Sequence, residues 1–193
     1  MSASAAQAHS GQPPGGPDSG IAIASITHGQ MQGLAGFAGE VLALAARQPV
    51  RDAAYQRVLN HARLQRAWCA WGLMPGAVSD EASPFNACSH AYLAATRDLL
   101  LRMAAQPDRT PAVDDLVRRV EAAMIGNAAA LEICGFSDTA FNTAALLVPD
   151  WGAVTGHPAS LLTLAGLALA LAALGGLAAR LVRGGPVSPR APG

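Results

Sequence analysis

Charge is what this sequence has least of. Charged residues make up 13% of its 193 positions, against about 25% in an ordinary soluble domain. Lysine is missing altogether, and all 13 basic residues are arginine. Scattered along the chain, they read as the codon bias of a GC-rich, bacterial genome rather than as a phosphate-binding set. Formal net charge is zero, so no global field draws in nucleic acid. Cysteine is sparse too: Cys69, Cys88 and Cys134 are odd in number and widely spaced. A disulfide framework wants a dense, even set, so the expectation is free thiols in a reducing compartment. No basic n-region followed by an apolar h-region opens the chain, so no secretion signal is expected. Sustained apolar–polar alternation is absent, and with it any reason to expect strands. No G-x-S-x-G, phosphate-cradling glycine loop, C-x-x-C or H-E-x-x-H occurs, which leaves no named route to catalysis.

What remains is helical patterning. Residues 1–24 are rich in Ser, Ala, Gln, Pro and Gly and read as a disordered tail. From 25 to 148 the pattern predicts a helical bundle domain of about four helices with short loops. The first opens at Thr27, with Gln30 at capping-box spacing, and stops before Pro49. Gly29, Gly33, Gly36 and Gly39 weaken it unless they permit close packing on a neighbour. A second helix runs from about residue 50 to 71. A third begins with Ser83 as N-cap and Pro84 in the first turn, and a fourth with Thr110 and Pro111. Gly135 is a natural C′ residue for the fourth. A short helix from about Ser137 to Val148 closes the set.

After a linker, 149–158, the chain loses charge entirely. Ala159 to Ala179 contains no charged residue and only Ser160 and Thr163 as polar ones. At about 1.5 Å per residue these positions span roughly 31 Å, the thickness of a hydrocarbon core. The expectation is one transmembrane helix over 159–182 and a short basic tail over 183–193. Trp151 suits the interface at one end, and Arg180 and Arg183 snorkel at the other. Ala168, Ala172 and Gly176 recur every four residues, spacing that permits close helix–helix approach in lipid. Sidedness draws opposed arguments. Arg180, Arg183 and Arg190 favour a cytoplasmic C-terminus. The missing signal and the free thiols favour a cytoplasmic N-terminal domain at a cell inner membrane, and that orientation is the expected one.

Few residues suggest chemistry. Cys88 and His90 are ligand types for zinc, copper or haem iron, but two positions apart on a helix they diverge by roughly 200°. His61 and Cys69 extend the candidate set, with Cys134 and Glu40 at its margin. No Glu-x-x-His pair accompanies them, so no metal or other cofactor is predicted. Asp80–Glu81 and Asp114–Asp115 have structural explanations near helix starts, and Asn127 lies in the fourth helix's apolar stripe. His61, Leu64, Trp68 and Trp71 give the second helix an extra apolar face, as a partner-binding surface requires. The expected function is therefore non-enzymatic: a single-pass, membrane-anchored accessory or assembly subunit. Its partners would be the lipid bilayer and a larger membrane protein complex or a second copy. The alternative is a membrane-tethered metal- or haem-binding bundle serving redox chemistry or metal delivery.

Overall fold

A computed structural model describes residues 20–49, 51–128 and 140–183. Those residues are mostly helical. A two-residue strand, β1 (Ala22–Ile23), precedes α1 (His28–Ala35), α2 (Ala38–Ala45), α3 (Ala53–Trp68), α4 (Asn86–Ala104) and α5 (Pro111–Ala128). After β2 (Phe141–Asn142) and a 3-10 turn (Ala153–Gly156) comes α6 (Pro158–Arg183).

The predicted capping box is present at the head of α1. Thr27 Oγ1 accepts from the Gln30 N–H, and Gln30 Oε1 accepts from the Thr27 N–H. The first predicted helix, however, is two. It breaks at Gly36–Phe37, so that α1 lies on α5 while α2 lies on α4. Gly33 is where α1 approaches closest. A Cβ there would stand 2.7 Å from the Ala123 carbonyl oxygen and 2.8 Å from Met124 Cα, so the glycine admits a neighbouring backbone. Glu40, on the outer side of α2, forms a two-pronged ion pair with Arg119 of α5, and this pair lowers its carboxyl pKa.

Asp52 caps α3 by accepting from the Tyr55 N–H at 2.7 Å, and Tyr55 Oη donates to the Ala45 carbonyl. The predicted inward face of α3 is buried as expected, through Tyr55, Val58, Leu59, Ala62 and the cap residue Cys69. The α4 helix is the central strut, buried on most sides and packed against α1, α2, α3 and α5. It starts later than predicted. Ser83 does not cap it; its hydroxyl accepts from the Phe85 N–H within a preceding turn. As expected, α5 starts at Pro111.

Two further expectations fail for one reason. Residues 140–148 do not form a helix, and β1 lies within what was read as tail. Ile23 pairs antiparallel with Phe141, and Ala22 with Asn142. Thr143 donates to and accepts from Ile21, and Asn142 Oδ1 turns the chain by accepting from the Ala144 N–H. Both Ile23 and Phe141 are buried in the core. Pairing with a distant segment satisfies this backbone where a local helix would have used i→i+4 bonds. Cys134 and Gly135 lie outside the described residues.

Beyond its first two turns, none of the described residues of the domain covers α6. Its apolar stretch Pro158–Leu181 is long enough to cross a membrane and has none of its window buried. In the first two turns of α6, Ser160 is buried and Leu164 leans back against a small cluster of Met74, Ala77, Phe85 and Val154. The chain is thus a small helical bundle followed by one apolar helix of membrane-spanning length.

Candidate functional site

The connection between α3 and α4 carries most of the unusual chemistry. Cys69 ends α3 and Cys88 stands in the first turn of α4. Their Cα atoms are 5.5 Å apart and the two sulfurs form a disulfide. The expectation of free thiols is therefore corrected for this pair. Wide spacing in sequence hid the fact that two packed helices bring their ends together. Gln65, one turn before Cys69 and fully buried, places its amide nitrogen 3.3 and 3.2 Å from the two sulfurs. The same amide donates to the Leu147 carbonyl, while Oε1 accepts from the Leu147 N–H at 3.1 Å. One side chain thus clamps the 144–148 segment onto the disulfide. A glutamine among apolar positions is the only sign of this clamp in the sequence.

The disulfide also rearranges the metal-ligand candidates. Cys69 and Cys88 have no thiolate to offer while bonded to each other. His90 is not paired with Cys88; its Nε2–H donates to the Ile26 carbonyl at 2.6 Å and its ring lies against Phe141. Burial depresses the pKa of His90, helped by nearby His28 and opposed by the bond to Ile26. It is a strut between the N-terminal segment and α4. Among the described residues no group of three or more His, Cys, Asp or Glu is arranged to hold a metal ion.

The four predicted partner-binding residues divide. Trp71 turns inward, its ring 4.7 Å from that of Tyr92. Leu64 and Trp68 remain about half exposed, at 52% and 51%. His61 is buried, and its Nε2 has no hydrogen-bond partner among the described residues. It forms part of a shallow groove edged by Leu64, Leu146, Asn60 and Thr143. Burial lowers the His61 pKa, so the imidazole is neutral at pH 7.

A second polar constellation joins the domain to α6. His157 Nε2–H donates to Asp80 Oδ2 at 2.9 Å, and His157 Nδ1 accepts from the Ser160 hydroxyl at 2.8 Å and its N–H at 3.2 Å. Accepting at Nδ1 puts the ring proton on Nε2. Hydrogen bonds from His157 and the Ala82 N–H hold the Asp80 carboxyl below its usual pKa. These are the residue types of a nucleophilic triad, but Ser160 is completely enclosed and no electrophile reaches its oxygen. The histidine instead caps the first turn of α6 and ties it to the loop between α3 and α4. Beside it Trp151, the predicted interfacial residue, is 53% exposed and meets the ring of Phe85 edge-on.

Ala168, Ala172 and Gly176 lie on α6, where no other element covers them. Gly176 borders a shallow depression with Ala173, Leu177 and Arg180. In comparisons with protein-family models, curated proteins and solved structures, nothing matches this chain.

Proposed function

We propose that this protein is a single-pass, membrane-anchored accessory subunit whose helical domain docks onto a larger membrane protein complex. The observation that carries this reading is the outer face of α3. Leu64 and Trp68 are large, apolar and half exposed beside a groove that His61 helps to line. Tryptophan anchors flanking a concave, partly polar surface are typical of interface hot spots. The small-residue stripe Ala168–Ala172–Gly176 offers a second contact within the bilayer, to the same partner or a second copy.

The membrane is a bacterial inner membrane in this proposal, with the domain on its oxidising face. That reverses the orientation expected from sequence. A buried disulfide is at home outside the cytoplasm, and Arg180, Arg183 and Arg190 then lie on the cytoplasmic side, as the positive-inside rule prefers. The metal-binding alternative loses Cys69 and Cys88 as donors.

Photo-crosslinking from positions 64 and 68 in intact cells, followed by purification in mild detergent, tests the proposal. A discrete higher-mass adduct from both positions, and none from exposed Arg47 on the α2 side, is expected. A chain that purifies as a lone monomer, with no adduct from either position, overturns it.

A further inference from the structure

The loop between α3 and α4 meets the head of α6, through Asp80 on His157 and through the cluster that packs on Leu164. A hydrocarbon core of about 30 Å takes about 20 helical residues. Counted back from Arg180, the first charge on the far side, that length reaches Ser160. Leu164 then lies about 6 Å inside the apolar layer, and Met74 and Ala77 pack in the same cluster as Leu164. The first part of the loop suits such a place: from Cys69 to Ser79 it contains no charged residue and includes Trp71, Leu73 and Met74, and charge returns only at Asp80 and Glu81, where Asp80 meets His157 ahead of α6. Leu73 is 56% exposed.

Directly beside Leu73 is a shallow groove of about 300 Å³ between the last turns of α3 and the loop. Arg63 and Arg66 line it, together with Ala67, Ala70 and Trp71. The two arginines are three residues apart on one helix face. Both are exposed, and neither forms an ion pair among the described residues. Two guanidiniums without an ion-pair partner among the described residues, lining one groove with an indole and a leucine beside the apolar layer, match a lipid headgroup. Its phosphate takes the charge-assisted hydrogen bonds and its glycerol and upper acyl carbons lie on the apolar wall. We infer that this groove is a binding site for an anionic phospholipid of the surrounding leaflet. The inference rests on the membrane-anchored reading, though not on which face the domain occupies.

The test uses the full chain in mild detergent, with W68F and W151F leaving Trp71 as the only indole. Titration with phosphatidylglycerol should give a saturable change in Trp71 emission. R63Q/R66Q should weaken binding about thirty-fold, equivalent to about 2 kcal/mol at about 1 kcal/mol per arginine. R47Q should leave it unchanged, and inorganic phosphate at the same concentration should give no response. Titration of R63Q/R66Q like its parent, or an equal response to inorganic phosphate, overturns the inference. Alkaline extraction from vesicles separates the two readings. A chain released by alkali refutes the anchor itself, whereas one that is retained but shows no lipid titration refutes only the groove.

Discussion

Removing the disulfide is the perturbation whose effect follows most directly from the structure. Cys69 and Cys88 are separated by 19 positions, so the bond closes a loop of about 20 residues. Cross-linking a loop of that length removes about 11 cal/mol/K of entropy from the unfolded chain, or about 3 kcal/mol at 25 °C. Because the clamp from Gln65 to Leu147 is braced against the same sulfurs, little of this should be recovered by relaxation. The expected cost of C69A/C88A is therefore about 3 kcal/mol, out of the 5–15 kcal/mol typical of a domain. On a domain of about 125 residues, with an unfolding entropy of about 260 cal/mol/K, that lowers the midpoint by about 12 °C. Near-UV circular dichroism of the full chain in mild detergent follows loss of the domain's packing without requiring the spanning helix to leave the micelle. The same chain, isolated from cells whose thiols were alkylated before lysis, should yield Cys69 and Cys88 peptides unlabelled until reduction. A shift below about 1 kcal/mol would refute the loop-entropy reasoning. Full alkylation before reduction would refute the bond and, with it, the oxidising location.

Two substitutions to alanine should move stability in opposite directions. At Gly33 the new methyl meets the backbone of Ala123 and Met124, and an overpacking penalty of about 1–3 kcal/mol outweighs a helix-propensity gain of up to about 1. At Gly39 a Cβ meets nothing within 4 Å, so thermal unfolding should show G39A as stable as the parent or slightly more so. Acid should destabilise the domain before its carboxylates titrate. His61 and His90 both have pKa values lowered by burial, so the unfolded chain binds protons that the folded one refuses. Their contribution is complete above the unfolded histidine pKa of about 6.5 and is lost as pH falls through the lower folded values, at up to about 1.4 kcal/mol per pH unit for each. Urea midpoints between pH 7 and 5 should fall along that slope, and H61Q should flatten it; an unchanged slope in that variant would exclude His61 as a contributor.

What the sequence reveals here is what local rules govern. The capping box at Thr27, the start of α5 at Pro111, the buried face of α3 and the bounds of α6 depend on residues within a turn or two of each other. What it conceals depends on distant partners. No periodicity within 140–148 indicates that Phe141 will pair with Ile23, and nothing near Cys69 points to Cys88. Ser83 misleads because a serine before a proline also begins turns, and here the turn takes precedence. The His157 cap on Ser160 is the instructive intermediate case. Its spacing is local, but its meaning comes from Asp80, 77 residues earlier.

That contact also bears on how the anchor and the domain work together. A spanning helix joined only by a flexible linker would let its domain tumble above the bilayer, and a docking face on α3 would have no preferred height or direction. Here three separate restraints fix the junction: the His157–Asp80 hydrogen bond, the Asp150 N–H donating to the Pro84 carbonyl, and Leu164 packed on the Phe85 cluster. All three end on the loop between α3 and α4, and the disulfide ties both ends of that loop to the bundle. In the proposed membrane-anchored subunit such a junction would hold Leu64 and Trp68 at a fixed distance from the bilayer, so that a partner embedded there would meet them with less orientational entropy to lose.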